Sequence, residues 1–469
     1  IDGTINANGV GYAGFSGPGK PVTFGGASHG GFGYTGTTDV NNGTTYGSIN
    51  APITLGSGCK ASNGTMNYGG GAIQLTVSGT TTINNTISAV GGVAGTSSCS
   101  GAGGSVYLTT GSLSGSSSIS VNGGQTSFGN GGGGRAAIIL TGSDSFGSVS
   151  VSANGGVGNS QNGGAGTIYK ETASGTKTVT IDNNGVSTNA GTMIPDTSTG
   201  VQDYTGTGTW TITNGAFLTH LSNSTAVTAT AEDQLKKINL SVDALTVDAT
   251  GSINANIKGY PHTQGPGATP TQSPDGGGPG SYGGTGCHSD CGSVYGSLTA
   301  PISIGSGGGG SWDSSAVNGQ GGGAIKITTA GAITNNGTIS ANGGPGTSSG
   351  GSGGAGGSVF VTAGSVSGSG SFLTNGGAGW SRAGGAGGRI ALVYTSATLD
   401  SFTINALGLG GSGAGTIYLD DTDDSNASGT LIVDNNDVVI NSGTPVLNNA
   451  TWTFDRMEIN NAGKLVIGD

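Results

Sequence analysis

Charge is scarce in this chain. Only 8 % of its residues are charged, against ~25 % in ordinary soluble domains. Lysine and arginine total 13 and form no basic cluster, so the chain lacks the electrostatic footprint of a nucleic-acid binder. No apolar run reaches the ~18–20 residues needed for a membrane-spanning helix. Cysteine is nearly absent, but its four positions, Cys59, Cys99, Cys287 and Cys291, make an even number. That is the arithmetic of two disulfides in an oxidising compartment, with four free thiols as the alternative. Cys59 and Cys99 fall in loops of successive repeats, and Cys287 and Cys291 share one loop. The chain opens at Ile1 without Met or signal peptide, which reads as a removed targeting segment or as a piece of something longer.

Glycine is abundant instead, with 103 residues, about three times the usual ~7 % share. Collagen is excluded, because these glycines keep no strict three-residue period. Simple disorder is disfavoured, since disordered chains combine high charge with few apolar residues and here 32 % are hydrophobic and patterned. Each glycine in a regular element costs roughly 0.5–1 kcal/mol relative to alanine. So many glycines must occupy places where only glycine fits, or else lie in mobile loops.

The sequence repeats itself about 250 positions apart. Gly3-Thr4-Ile5-Asn6-Ala7-Asn8 returns as Gly251-Ser252-Ile253-Asn254-Ala255-Asn256. Gly69-Gly-Gly-Ala-Ile73 returns as Gly321-Gly-Gly-Ala-Ile325, and Gly164-Ala-Gly-Thr-Ile-Tyr169 as Gly413-Ala-Gly-Thr-Ile-Tyr418. A finer repeat of about 30 residues runs inside each copy, anchored at Ile73, Val106, Ile138 and Ile168, then at Ile325, Val359, Ile390 and Ile417. After each glycine cluster, apolar residues alternate with polar ones, as in Ala72-Ile-Gln-Leu-Thr-Val77, the period of a strand. Breaks fall at Ser78-Gly79 and Asn84-Asn85. A unit this small cannot bury an apolar face alone, but stacked units share a core.

The expected fold is therefore all-β, a parallel β-helix with Gly-rich loops in two tandem homologous halves. The first Gly-rich block covers 1–194 and the second 249–436. Gly-poor β segments cover 195–248, linking the halves, and 437–469, docking to the next repeat or subunit. Corner asparagines (Asn85, Asn122, Asn154, Asn336, Asn342, Asn375) are expected to stack in ladders. A competing reading packs the Gly-rich stretches as polyproline-II-like helices beside the β-helix, where missing side chains let backbones approach.

Gly-Ser-Ile-Asn-Ala-Asn, Gly-Gly-Gly-Ala-Ile-Lys-Ile, Thr338-Ile-Ser-Ala-Asn-Gly-Gly344 and Gly387-Gly-Arg-Ile-Ala-Leu392 together resemble the glycine-rich repeats of large bacterial surface proteins. The resemblance covers most of the chain. It implies an extracellular β-rich location and carries no enzymatic residues. More loosely, the architecture is similar to that of β-helical adhesins and fibre proteins.

Motifs with apparent chemistry have plainer explanations. Gly26-Ala-Ser-His-Gly30 matches a nucleophile elbow but lacks the strand–turn–helix setting. Cys287-His-Ser-Asp-Cys291 has no second ligand cluster at zinc spacing. Asp420-Asp-Thr-Asp-Asp-Ser-Asn426 is dense enough in carboxylates for loop Ca²⁺ but reads first as a solvated loop, and no cofactor is expected. Arg135 and Arg389 take matching places after glycine clusters and read as braces. Asp182-Asn-Asn184 and Asp434-Asn-Asn436 read as corners. Sequons such as Asn63 and Asn336 arise from composition alone.

The functional expectation is a non-enzymatic structural subunit of an extracellular fibre or surface layer. The chain ends echo the junction at Leu245 to Asn256, which points to head-to-tail continuation with another copy. Ile1, Asp2, Ile5, Leu465, Val466 and Ile467 are the expected subunit contacts. The second reading is a carbohydrate- or surface-binding adhesin using loop aromatics Tyr12, Tyr260, Trp312 and Trp380. A flat threonine array for ice lacks support, because Thr80-Thr-Thr82 is matched by Ala330-Gly-Ala332. A third reading, a β-helical polysaccharide lyase or hydrolase, lacks an evident acid–base cluster.

Overall fold

The computed structural model describes the chain except residues 35–42, 62–63, 65, 94–98, 160, 195–201, 224–235, 269–277, 288–290, 310–318, 348–350, 381–383, 425–427, 440, 447–451 and 468–469. It is all-β, without a helix among the described residues, and winds as a parallel β-solenoid of about 9 turns. Two compact units divide it. Unit 1 holds residues 1–196, 206–219 and 244–252, and unit 2 holds 197–205, 220–243 and 253–469. The Gly-poor stretch around residue 220 is thus shared between them.

The strands run in chain order as β1 (Ile5–Asn6), β2 (Cys59–Lys60), β3 (Met66–Asn67), β4 (Ala72–Ile83), β5 (Ile87–Ser88), β6 (Ser105–Gly115), β7 (Ser118–Ser120), β8 (Arg135–Leu140), β9 (Ser150–Ser152) and β10 (Thr167–Glu171). Next come β11 (Lys177–Asp182), β12 (Gln202–Thr205), β13 (Thr209–Thr213), β14 (Phe217–Thr219), β15 (Ile238–Val242), β16 (Ala244–Val247), β17 (Ser252–Asn254), β18 (Ala324–Thr329), β19 (Ala332–Asn335) and β20 (Thr338–Ser340). The remainder are β21 (Ser358–Ser367), β22 (Ser371–Leu373), β23 (Arg389–Ala397), β24 (Thr403–Asn405), β25 (Thr416–Asp421), β26 (Thr430–Asp434), β27 (Thr444–Val446), β28 (Arg456–Asn460) and β29 (Leu465–Ile467).

In unit 1 the first face stacks β4, β6, β8 and β10 in parallel. The second face stacks β1, β5, β7 and β9, which places Ile5, Ile87, Ile119 and Val151 in one column. Alternation turns Leu75, Leu108 and Ile138 inward along the first face, where they share a core with that column. Unit 2 repeats the device. Ile238, Ile325, Val359, Ile390 and Ile417 form one ladder, and Leu240, Ile327, Val361, Leu392 and Leu419 the next.

Three expectations need correction. The stack is not parallel throughout: β10 with β11 and β25 with β26 are antiparallel. The chain between β10 and β11 is too short for a crossover, which needs about a dozen residues. It closes instead as a turn, with Gly175 at φ 86° and Thr172 bonded to Thr176. Second, Ser78-Gly79 is not a corner. β4 runs through it with a register shift between Val77 and Thr80, whereas the matching Ala330-Gly331 does separate two strands. Third, four of the six asparagines do form ladders, but each bond runs from a side chain to the next rung's backbone N–H and not from amide to amide. Asn122 Oδ1 accepts the N–H of Asn154 at 2.8 Å, and Asn342 Oδ1 accepts that of Asn375 at 2.7 Å. Asn85 and Asn336 stand elsewhere, bonding Thr86 N and Ser369 N.

The glycine clusters account for much of the composition. Successive N–H groups of residues 101–104 donate to Gly92, Ser57, Gly132 and Ala89. The first and last of these acceptors lie on one neighbouring segment, so directions recur after three residues, the pitch of a polyproline-II helix. Residues 131–134 do the same toward Gly124, Ala27, Gly164 and Val121, and residues 354–357 toward Gly344, Ser306, Ala386 and Ala341. Each segment is therefore held by three neighbours at once. A Cβ at Gly103 would overlap the Val121 carbonyl oxygen and the Gly134 nitrogen. The competing polyproline-II reading thus describes the third side of the coil, and the β-helix reading describes the other two.

Candidate functional site

The residues with apparent chemistry are built into this scaffold. Ser28 and His29 are both fully buried. Ser28 Oγ accepts the N–H of Gly33 at 3.0 Å, and the His29 ring bonds the Gly103 carbonyl through Nδ1 at 2.7 Å and Thr54 Oγ1 through Nε2 at 2.8 Å. Burial, reinforced by the Arg135 charge, lowers the His29 pKa to about 3, so the ring is neutral at physiological pH. Serine and histidine here serve as hydrogen-bonding parts of the packed segments, not as a nucleophile and its base.

Arg135 and Arg389 brace loops in both units, as their matching positions predict. Each is fully buried. Arg135 donates from Nε to the Tyr46 carbonyl at 2.8 Å and from Nη1 to Thr167 Oγ1 at 2.9 Å. Arg389 donates to the Tyr295 carbonyl at 3.0 Å and to Thr416 Oγ1 at 3.0 Å. Burial brings the Arg135 pKa down to about 9, leaving it protonated. Tyr46 OH in turn donates to Leu55 O at 2.6 Å, and Tyr295 OH to Ile304 O at 2.6 Å. One substitution distinguishes the two networks. His29 packs at a tilt against Tyr46 where Tyr282 packs at a tilt against Tyr295, both at 4.7 Å between centroids. The Gly-Gly pairs that follow each residue, Gly30-Gly31 and Gly283-Gly284, were the signal for this correspondence.

The cysteines form two disulfides, Cys59–Cys99 and Cys287–Cys291. The second occupies the thiols of the zinc-like stretch, whose middle residues 288–290 lie outside the described chain. Among the described residues no group of three His, Cys, Asp or Glu is placed to hold a metal ion. Asp421 begins a turn, with its Oδ1 accepting Asp423 N, and Asn426 lies outside the described residues. Asn184 and Asn436 do take left-handed backbone at their corners, with φ of 55° and 47°. Of the loop aromatics, Tyr260 is 1 % exposed, which removes it as a sugar platform. Tyr12 is half-buried, Trp312 lies outside the described residues and Trp380 is 68 % exposed.

The path of the long sheet ends on two described strands that are each paired on one side only. β4 pairs with β6 only, and no other described strand lies along it. Beside it Ile1 donates from its N to the Thr82 carbonyl at 2.6 Å, Asp2 Oδ1 accepts Asn84 Nδ2 at 2.7 Å, and Ile1 and Ile5 pack partly buried against the core. In unit 2, β28 pairs with β26 only, again among the described strands. It continues the inward column of Leu431 and Val433 with Met457 and Ile459, which are 45 % and 48 % exposed. Leu465 and Val466 lie in β29, which pairs in parallel with β27, Thr444 opposite Leu465 and Val446 opposite Ile467. Leu465 is half-buried and Val466 exposed.

No family model, no curated protein and no solved structure matches the chain.

Proposed function

We propose that this chain is a non-enzymatic structural building block that extends head to tail into an extracellular fibre or surface layer. One observation carries the reading. Among the described residues β4 and β28 are each paired on one side only, with Ile73 and Leu75 half-buried and Met457 and Ile459 exposed. Solenoids that stay monomeric normally close such ends with polar caps. Unpaired strand edges favour further pairing, and a heterologous contact between unlike ends adds copies indefinitely. Two disulfides are compatible with an oxidising, extracellular setting. The resemblance to glycine-rich bacterial surface repeats points the same way. No helix of the described chain is long and apolar enough to cross a membrane.

Light scattering across a concentration series tests the proposal. The mass is expected to rise with concentration without a plateau at a closed dimer. A constant monomer mass up to millimolar concentration overturns it.

The second reading, a surface- or carbohydrate-binding module, is favoured by Trp380 alone, whose 68 % exposure leaves an aromatic face open to stack on a sugar ring. Glycan-array binding that Trp380→Ala abolishes supports it, and an array without signal overturns it.

A further inference from the structure

The two buried arginines differ in what surrounds their charge. Arg135 and Arg389 each begin a strand and stand in register between a serine and a threonine, Ser105 and Thr167 in unit 1, Ser358 and Thr416 in unit 2. In unit 2 the guanidinium carbon of Arg389 lies 5.5 Å from the centroid of the Tyr282 ring. The ring quadrupole stabilises a cation placed over it, most where water is excluded. The Tyr282 hydroxyl also shares a hydrogen bond of 2.6 Å with Ser358 Oγ. In unit 1 His29 takes the place of Tyr282. Its Nδ1 bonds the Gly103 carbonyl, which only accepts, so Nδ1 carries the ring proton and Nε2 accepts from Thr54 Oγ1. Both ring nitrogens are thereby engaged away from the arginine.

Arg135 therefore lacks cover that Arg389 has. Its Nε and Nη1 are bonded, but its Nη2 has no hydrogen-bond partner in the protein, although the residue is 0 % exposed. No carboxylate among the described residues stands beside it. Buried charges are paired as a rule, because an uncompensated one is strongly destabilising. A neutral partner would satisfy the N–H groups of Nη2 but not the charge, whereas an anion satisfies both. The surroundings admit only a small one. His29 and Ser105 are both 0 % exposed. A Cβ at Gly47 would run into Thr54 Oγ1, and a Cβ at Gly134 into the Gly104 carbonyl oxygen. Packing this close favours a single-atom anion over phosphate or sulfate.

We propose that Nη2 of Arg135 binds a halide ion, chloride under physiological conditions, and that the matching position at Arg389 does not. The ion is the counter-charge of unit 1, where the Tyr282 ring serves unit 2. Because the ion binds the folded chain and not the unfolded one, it ties the stability of unit 1 to the chloride concentration. The exchange of His29 for Tyr282 is the feature that separates the two sites. A second exchange accompanies it: Ser105 Oγ donates to the Thr54 carbonyl as Ser358 Oγ donates to that of Ser303, so Thr54 and Ser303 correspond. The pair His29→Tyr/Thr54→Ser therefore gives unit 1 the lining of unit 2.

The test is thermal unfolding of the full chain at constant ionic strength, with sodium gluconate replaced stepwise by sodium chloride or bromide. The wild-type melting temperature is expected to rise by about 2 °C or more across the series. Arg135→Met and His29→Tyr/Thr54→Ser are each expected to lose most of that rise. Crystals grown in bromide are expected to show an anomalous peak within hydrogen-bonding distance of Arg135 Nη2 and none at Arg389, which reads the site without any substitution. A melting temperature indifferent to halide overturns the proposal. So does the same rise in wild type and both variants, which marks a general salt effect, or density at Nη2 without anomalous signal, which marks water. Peaks at both arginines overturn the role given to His29.

Discussion

The Nε–H of Arg135 donates to the carbonyl of Tyr46 at 2.8 Å, across 89 residues of sequence. That bond ties an outer loop to the start of β8 with a side chain that has no carboxylate partner among the described residues. Removing it by Arg135→Ala leaves both a cavity and an unpaired carbonyl. The expected loss is about 3 kcal/mol of unfolding free energy. Arg135→Met fills the space and is expected to lose about half as much. Denaturant unfolding followed by tryptophan fluorescence measures both, and equal stabilities for wild type and Arg135→Ala contradict the bracing role.

Glycine positions separate sharply by surroundings. Gly103→Ala places a methyl group onto backbone of two neighbouring segments, and is expected to cost on the order of 3 kcal/mol or more. Gly79→Ala meets nothing within 4 Å and is expected to be neutral within about 0.5 kcal/mol. Thermal melts of the two variants check the contrast.

The buried histidines make stability depend on pH. The folded-state pKa values of His29 and His220 are lowered by burial to about 3 and about 4. Both lie below the ordinary value of 6.5. Between these limits the unfolded chain binds more protons, so the histidines' contribution to folding stability is full above about pH 6.5 and falls as the pH drops toward 4. The expected slope is up to ~1.4 kcal/mol per pH unit for each histidine. Unfolding at pH 7, 5.5 and 4 measures it, and His29→Gln is expected to flatten the dependence by about half.

The two disulfides are expected to contribute unequally. Cys59–Cys99 spans a separation of 40 residues and Cys287–Cys291 a separation of 4. Chain-entropy arguments give about 4 kcal/mol for the first and about 2 kcal/mol for the second. Paired Cys→Ser substitutions followed by melting show the order, with the larger drop expected for Cys59→Ser/Cys99→Ser.

Much of the two β-faces was legible because side chains report it. Alternation from Ile73 to Val77 and the recurrence at Val106 and Ile138 mark strands that share a core. The third side was harder to read. Residues 101–104 are held by backbone bonds alone, so no side-chain period announces them, and their signal is only that nothing larger than alanine occurs. The antiparallel turn at Thr172 to Thr176 was readable in its short length, but the repeat pattern around it favours a further coil. Tyr260 looked available because its surroundings are glycines and polar residues. Those same glycines let backbone close over it, and it packs with Ile304 and Ala324. The disulfides were legible in the even count of cysteines, whereas the His29–Tyr46 network needed contacts between loops that no local pattern encodes.

Electron microscopy with diffraction of the purified protein tests the central claim most directly. Head-to-tail stacking of coil on coil predicts filaments whose layer line at ~4.8 Å lies along the filament axis, the spacing of hydrogen-bonded strands. Discrete, non-growing particles, or filaments with that spacing across their axis, would contradict it.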